Sequence, residues 1–389
     1  MLHTLPNPLY YTAEHEQFRE TMRAFVAREI APCVTEWDEA ESFPRELYQR
    51  AAAIGLLGIG YPEEYGGVPA DIFYALIAAD ELAQAGSGGL SASLLSHTIG
   101  APPVLAAGSA EMKARVLPSV LAGEKIAALA ITEPAAGSDV ASLQTTAIRA
   151  DGYFVVNGEK TFITSGMRAD YLTVAVRTNP ADKGMSGVSL LLIEGDTPGL
   201  TRTALKKTGW WASDTAHLYF DNCHVPATNL IGAENQGFRQ IMRNFNAERL
   251  GMAAGALGFS RVCLEDAIAW ARERRTFGQP LIERQVIRHK LVDMAMKIEA
   301  TRATLEDLAW RVQHAHGDAG ALVARTCMLK ILATQTMQFC ADQAVQILGG
   351  MGYMRGSRVE RIYREVKVNM IGGGSEEIMK DLAAKQLRL

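Results

Sequence analysis

Glu248 is the residue in this chain best placed to do chemistry, because it puts a carboxylate on a helical stripe that should be buried. Phe238, Ile241, Phe245 and Met252 follow the three-and-four spacing of one helical face, and Glu248 falls on that face. A carboxylate pointed inward loses hydration, its pKa rises, and it becomes a better base toward a carbon acid. A structural ion pair with an Arg or Lys on a packed neighbour would account for the same residue. Arg249 is adjacent, points about 100° round the helix, and should not simply neutralise the acid.

Two earlier segments carry hydroxyls and small residues at turns. Ile131-Thr132-Glu133-Pro134-Ala135-Ala136-Gly137-Ser138-Asp139 leaves a β run, where Thr132 and Ser138 can hydrogen-bond a ring carbonyl or phosphate and Gly137 permits close backbone approach. Thr161-Phe162-Ile163-Thr164-Ser165-Gly166 puts an aromatic and a hydroxyl on a strand. Phe162 can pack against a flat cofactor, although a strand aromatic is more often core. Gly350 to Gly352 follows a helix rather than a strand, so it is not a dinucleotide-binding fingerprint.

These two segments resemble the acyl-CoA dehydrogenase family, as do Asn246-Ala247-Glu248-Arg249, Glu273-Arg274-Arg275-Thr276-Phe277-Gly278 and Gln346-Ile347-Leu348-Gly349-Gly350-Met351-Gly352-Tyr353. The resemblance runs nearly the full length of the chain. It implies bound FAD, with Leu129, Ile131, Thr132, Gly137, Ser138, Phe162, Ile163 and Thr164 around the flavin. Arg274, Phe277, Gln285, Gln346, Gly349 and Gly350 match positions that reach the FAD of a neighbouring subunit, the arginine suiting a pyrophosphate. Ser375 and Glu377 complete the implied cofactor set. Ser138, Asn246, Arg249, Gly373 and Gly374 are implied on the substrate side. The implied assembly is a homotetramer, a dimer of dimers, and for Arg274 the plain alternative is a solvated helix end.

The family carries its base in one of two places. Many members use a glutamate in a C-terminal loop; here that loop reads Ile371-Gly372-Gly373-Gly374-Ser375-Glu376-Glu377-Ile378, with Gly373 at the matching position. Glu248 matches the second placement, used by long-chain and isovaleryl-type members, and Glu376 is the rival if the loop alignment slips. The resemblance implies removal of an α-proton by Glu248, loss of the β-hydrogen to the flavin and formation of a trans-2-enoyl-CoA, as in β-oxidation in fatty acid metabolism. Electrons would pass to an electron-transferring flavoprotein. An acyl-CoA oxidase using O₂ and a noncatalytic flavin-bearing binding protein are the alternatives.

Three regions differ in hydrophobic period, giving an α+β multidomain expectation. Residues 1–122 read as an all-helical domain, with helices over Glu14–Cys33, Glu46–Ile54, Ile72–Ala85 and Met112–Leu121. Residues 123–234 read as a barrel-like β domain, with strands Tyr153–Val156 and Thr161–Thr164 flanking a hairpin-like Asn157-Gly158. Tyr171–Arg177, Val188–Ile193 and His217–Asp221 are further strands. Residues 235–389 read as a four-helix bundle with helices near 237–275, 284–315, 319–348 and 358–369, one of them striped by Val286, Leu291, Met294, Ile298 and Leu305. The small residues from Gly86 to Ser93 either wall an acyl pocket, let helices pack closely or form a mobile loop.

A length of 389 residues, 48% hydrophobic and 21% charged, fits a globular protein with a large core. A net charge of -4 gives no reason to expect nucleic acid or an anionic membrane as partner. Met1 to Ala13 lacks the features of a signal peptide, and no apolar run has the length of a membrane span. Cys33, Cys223, Cys263, Cys327 and Cys340 are scattered, without metal-ligand spacing, and read as reduced thiols of a cytoplasmic protein.

Overall fold

Residues 7–179, 181 and 184–389 are described by a computed structural model; the reading of Met1–Pro6 lies outside them. The first layer is helical: α1 (Ala13–Phe25), α2 (Val34–Glu39), α3 (Glu46–Ala53), α4 (Ile72–Leu82), α5 (Gly88–Leu94), α6 (His97–Gly100), α7 (Pro102–Ala107) and α8 (Ala110–Leu121). Side-chain caps explain several starts, since Thr12, Asp71, Ser87 and Ser109 each accept a hydrogen bond from a first-turn N–H. The single helix expected over Glu14–Cys33 is broken. It widens into a π turn at Val26–Ile30, where Ala31 N–H donates to Val26 O at 2.8 Å, and this keeps both Val26 and Ile30 in the core.

The small residues from Gly86 onward are used for close packing, the second of the three sequence alternatives. A Cβ on Gly86 would lie 2.7 Å from Arg358 Cβ, one on Gly88 2.5 Å from Trp210 Nε1, and one on Gly89 2.7 Å from Trp210 Cα. Glu365 closes this junction: one oxygen accepts from Gly88 N–H at 2.6 Å and the other from Trp210 N–H at 3.1 Å. Three stretches of chain distant in sequence are thus fastened to one buried carboxylate.

The middle layer is a sheet of β1 (Ala127–Ala130), β2 (Thr146–Ala150), β3 (Tyr153–Thr164), β4 (Tyr171–Arg177), β5 (Val188–Glu194), β6 (Leu200–Ala204), β7 (Thr215–Pro226) and β8 (Leu230–Ile231). The order is β6-β7-β3-β2-β4-β5-β8, with β1 parallel to β4, so among the described residues the sheet is open rather than a closed barrel. Asn157-Gly158 is not a hairpin. It lies inside β3, at a register shift against β7, and the reversal occurs instead around Gly152. Gly158 is required there because a Cβ would fall 2.7 Å from Thr145 Cα.

The third layer contains α9 (Gly237–Glu273), a short β9–β10 hairpin (Arg275–Thr276, Gln279–Pro280), α10 (Gln285–Gln313), α11 (Ala319–Leu348), α12 (Arg358–Ile371) and α13 (Glu376–Leu387). Early in α9, Ile241 packs with Val188, Leu190 and Leu117, whereas Leu250 to Ala271 join the bundle core. One expected stripe residue is misplaced: Val286 is 60% exposed and Ile287 takes the buried position. All five cysteines are free thiols, four of them buried. Among the described residues no cluster of His, Cys, Asp and Glu could hold a metal, and no helix is long and apolar enough to cross a membrane.

Candidate active site

Glu248 stands on α9 where that helix passes from the sheet to the bundle. Its Oε2 is buried without a hydrogen-bond partner, and among the described residues its carboxylate forms no ion pair, so the structural ion-pair alternative fails. Burial pushes its pKa up to about 7, against the opposing positive charges of Arg249 and Lys330. The glycine loop between α12 and α13 faces it. A Cβ on Gly373 would lie 3.9 Å from Glu248 Oε1 and only 2.6 Å from Met252 Sδ.

Arg249 joins the helix to that loop. Its Nε donates to Gly373 O at 3.1 Å and its Nη1 to Asn246 Oδ1 at 3.2 Å, so the adjacent cation is engaged away from the carboxylate. Gly373 and Gly374 have φ of +65° and +108°, backbone that a side chain would strain. Ser375 caps α13 by accepting from Ile378 N–H, and Glu377 is exposed. Glu376, the rival base, is turned toward α11, where Oε2 accepts from Gln335 Nε2 at 3.0 Å and meets Lys380 Nζ at 3.6 Å.

The first group of implied flavin residues comes together where β1 ends beside β3. Leu129 and Ile131 share an apolar cluster with Ile241 and Phe245, one turn before Glu248. Thr161 N–H donates to Thr132 O at 2.8 Å, and the fully buried Lys160 donates to Ile131 O at 2.9 Å and Glu133 Oε1 at 2.7 Å. Burial pushes the Lys160 ammonium down to about 8, with Glu133 opposing. Gly137 and Ser138 lie on the exposed loop, Thr132 and Thr164 are half-buried, and Ile163 is core.

Phe162 departs from the ordinary strand aromatic. It sits in the bulge between Lys160 and Ile163 with φ of +62°, and its side chain is 69% exposed. A non-glycine residue held in this conformation with its ring turned outward fits a surface meant to be covered by a flat group. That observation, with the tied-back Ile131 and Thr132 carbonyls, fits a flavin.

The second group lies at the ends of the bundle helices. Arg274 caps α9 and is exposed, Phe277 is 97% exposed with Arg284 over its ring at 5.6 Å, Gln285 opens α10, and Gln346, Gly349 and Gly350 are exposed where α11 ends. Among the described residues no hydrogen bond or ion pair joins this group to the first. Sequence reasoning missed Lys160, Glu133 and Lys330. The signal was available for Lys330, because it falls among the helically spaced apolar residues Cys327, Ile331, Ala333 and Met337 of α11 as Glu248 falls among those of α9.

An open sheet thus lies between two helical layers, with a carboxylate on a helix, unpaired among the described residues, facing a glycine loop. The chain belongs to the acyl-CoA dehydrogenase family: residues 12–124, 128–223 and 235–388 match its N-terminal, middle and C-terminal domains. Members of this family are flavoproteins, so a flavin is the implied cofactor. An acyl-CoA dehydrogenase of Bacillus subtilis is 38% identical, covering 97% of this chain and 99% of its own. A mitochondrial isovaleryl-CoA dehydrogenase of Oryza sativa is 35% identical over 99% of this chain and 94% of its own. The crystal structure of a probable acyl-CoA dehydrogenase from Mycobacterium abscessus superposes with a TM-score of 0.94 at 46% identity, covering 97% of this chain and 100% of that one.

Proposed function

We propose that this chain is an FAD-dependent dehydrogenase of fatty or branched acyl-CoA thioesters in which Glu248 is the base. The carrying observation is a carboxylate unpartnered among the described residues, its pKa raised to about 7 by burial, facing a loop glycine. Glu248 takes the α-proton of the thioester onto its carboxylate. When bound, the flavin supplies an acceptor for the β-hydrogen and its electron pair. Charge develops on the thioester oxygen, and the Gly373 N–H is the protein donor to it. One such donor contributes about 3 kcal/mol to transition-state stabilisation.

Leu129 to Ser138 and Phe162 to Thr164 would hold the flavin ring. Arg274, Phe277, Gln285, Gln346, Gly349 and Gly350 present exposed side chains and backbone suited to the pyrophosphate and adenosine end carried by a second copy. This supports FAD over FMN and a homotetramer over a monomer. An electron-transferring flavoprotein is the proposed electron acceptor. With Gly88 and Gly89 committed to Trp210, the chain-length preference is set by other walls.

Anaerobic titration of the flavin absorption spectrum with acyl-CoAs of increasing length and branching tests the reading. Bleaching by one class establishes dehydrogenation and its substrate together. A flavin that no thioester bleaches overturns it, and rapid reoxidation by O₂ would replace the dehydrogenase by an oxidase.

A further inference from the structure

Lys330 is a lysine with no exposed surface, and among the described residues it has no carboxylate within ion-pair distance. Lysine is almost never buried in this way unless it is paired, since its ammonium must be removed from water. Its hydrogen bonds go elsewhere. Nζ donates to Met370 O at 3.0 Å and to Gly374 O at 2.8 Å. Met370 lies in the last turn of α12, whose terminal carbonyls have no partner within the helix, and Gly374 immediately precedes the Ser375 cap of α13.

The two bonds therefore grip the glycine loop at both ends. A run of Gly372, Gly373 and Gly374 has more backbone freedom than any other tripeptide, and without restraint it would not hold one conformation beside the base. Arg249 supplies the third restraint, on Gly373 O. Three carbonyl oxygens of the 370–374 segment are thereby taken up by cations. We infer that Lys330 is a positioning residue of the active site, fastening both ends of the 370–374 loop so that Gly373 is presented to the Glu248 carboxylate. The inference rests on Glu248 being the base, as proposed above.

The charge of Lys330 has a second effect. The charged and titratable groups facing it are Glu248 and Arg249 on α9, Cys327 on its own helix and Glu376 on α13. Burial pushes its pKa down to about 8, Arg249 adds to that, and Glu376 and Glu248 oppose it. At neutral pH the ammonium form predominates, and it favours the ionised form of Glu248.

The test uses the full-length, flavin-loaded chain as parent, Lys330→Met, Lys330→Gln and Glu248→Gln. Two quantities are read: the pH profile of kcat, and amide hydrogen exchange of peptides covering 371–375. Lys330→Met removes donors and charge at similar volume. Its kcat should fall by about tenfold or more with a smaller change in KM, and exchange in the loop should accelerate. The acidic limb should move to higher pH, because loss of the cation favours protonated Glu248.

Lys330→Gln keeps N–H donors but no charge. Its loop exchange should lie between those of the parent and Lys330→Met, with the acidic limb displaced as in Lys330→Met. Parent-like pH profile and exchange in Lys330→Met, or in Lys330→Gln if the first does not fold, overturns the inference. If the parent is bleached by no acyl-CoA, the proposed function fails instead, and the exchange comparison alone decides whether Lys330 holds the loop.

Discussion

Met252 Sδ occupies the space beside Gly373, 2.6 Å from where a Cβ on that glycine would lie. The loop position is thus closed to a side chain by a residue one turn beyond Glu248 on the same helix. Moving the base into the loop requires clearing the sulfur first. Glu248→Gly with Gly373→Glu should remain nearly inactive, and adding Met252→Ala should recover about tenfold or more in the rate of flavin bleaching. Equal rates for the double and triple variants would show that Met252 does not guard the position.

Glu248→Gln should retain flavin and fold while kcat falls by about 100-fold or more, the scale of general-base catalysis. Glu376→Gln should stay near the parent, because that carboxylate is held by Gln335 and Lys380. The opposite pattern in steady-state turnover would transfer the role to Glu376.

The same residue has a stability signature. A carboxylate whose folded pKa is raised to about 7 contributes fully below its ordinary range, and that contribution is lost as pH rises through about 7. Glu248→Gln should therefore be more stable than the parent at alkaline pH, by about 3 kcal/mol at most, and close to it at pH near 4. Thermal unfolding of the two proteins across that range checks the sign.

Glu365 holds Gly88 and Trp210 from full burial, and burial pushes its pKa up to about 8. Asp38 adds to that rise, and Gly88 N–H, Arg361 and Arg364 oppose it. The junction should weaken as pH rises from the ordinary carboxylate range through about 8. Glu365→Gln should cost about 1 kcal/mol at low pH, where an amide can accept only one of the two N–H bonds, and should flatten the alkaline decline in Tm. An unchanged slope would place the pH dependence elsewhere.

Arg274→Ala should weaken flavin retention or the assembled state, since among the described residues its guanidinium has no ion pair within its own chain to lose. Analytical ultracentrifugation with absorbance at the flavin band separates the two effects. An unchanged holo-assembly would leave Arg274 as a solvated helix end.

Legibility followed the physical signal. Tyr171–Arg177 is a strand with the bounds read from its β-branched run, because it lies at the centre of the sheet and is buried almost throughout. The long helices α9 to α12 all begin and end within two residues of their expected limits. Glu248 and Gly373, distant in sequence, are brought side by side. Asn157-Gly158 misled because a glycine needed for backbone approach to Thr145 looks the same as one needed for a turn. A lysine in a sequence is ordinarily solvated, and the burial of Lys160 and Lys330 is made tolerable by partners that the fold brings up, the Ile131 carbonyl and Glu133 for the first and the Met370 and Gly374 carbonyls for the second.

Helix α9 runs unbroken for 37 residues, about 55 Å, with its N-terminal turns seated on the sheet and the longer remainder in the bundle. Glu248 lies near the crossover. The position of Glu248 relative to the sheet is therefore fixed by the pitch of one continuous rod, with no hinge to absorb error. Inserting or deleting a single residue between Gly237 and Glu248 would swing the carboxylate by about 100° and take it out of the site, although every domain could still fold.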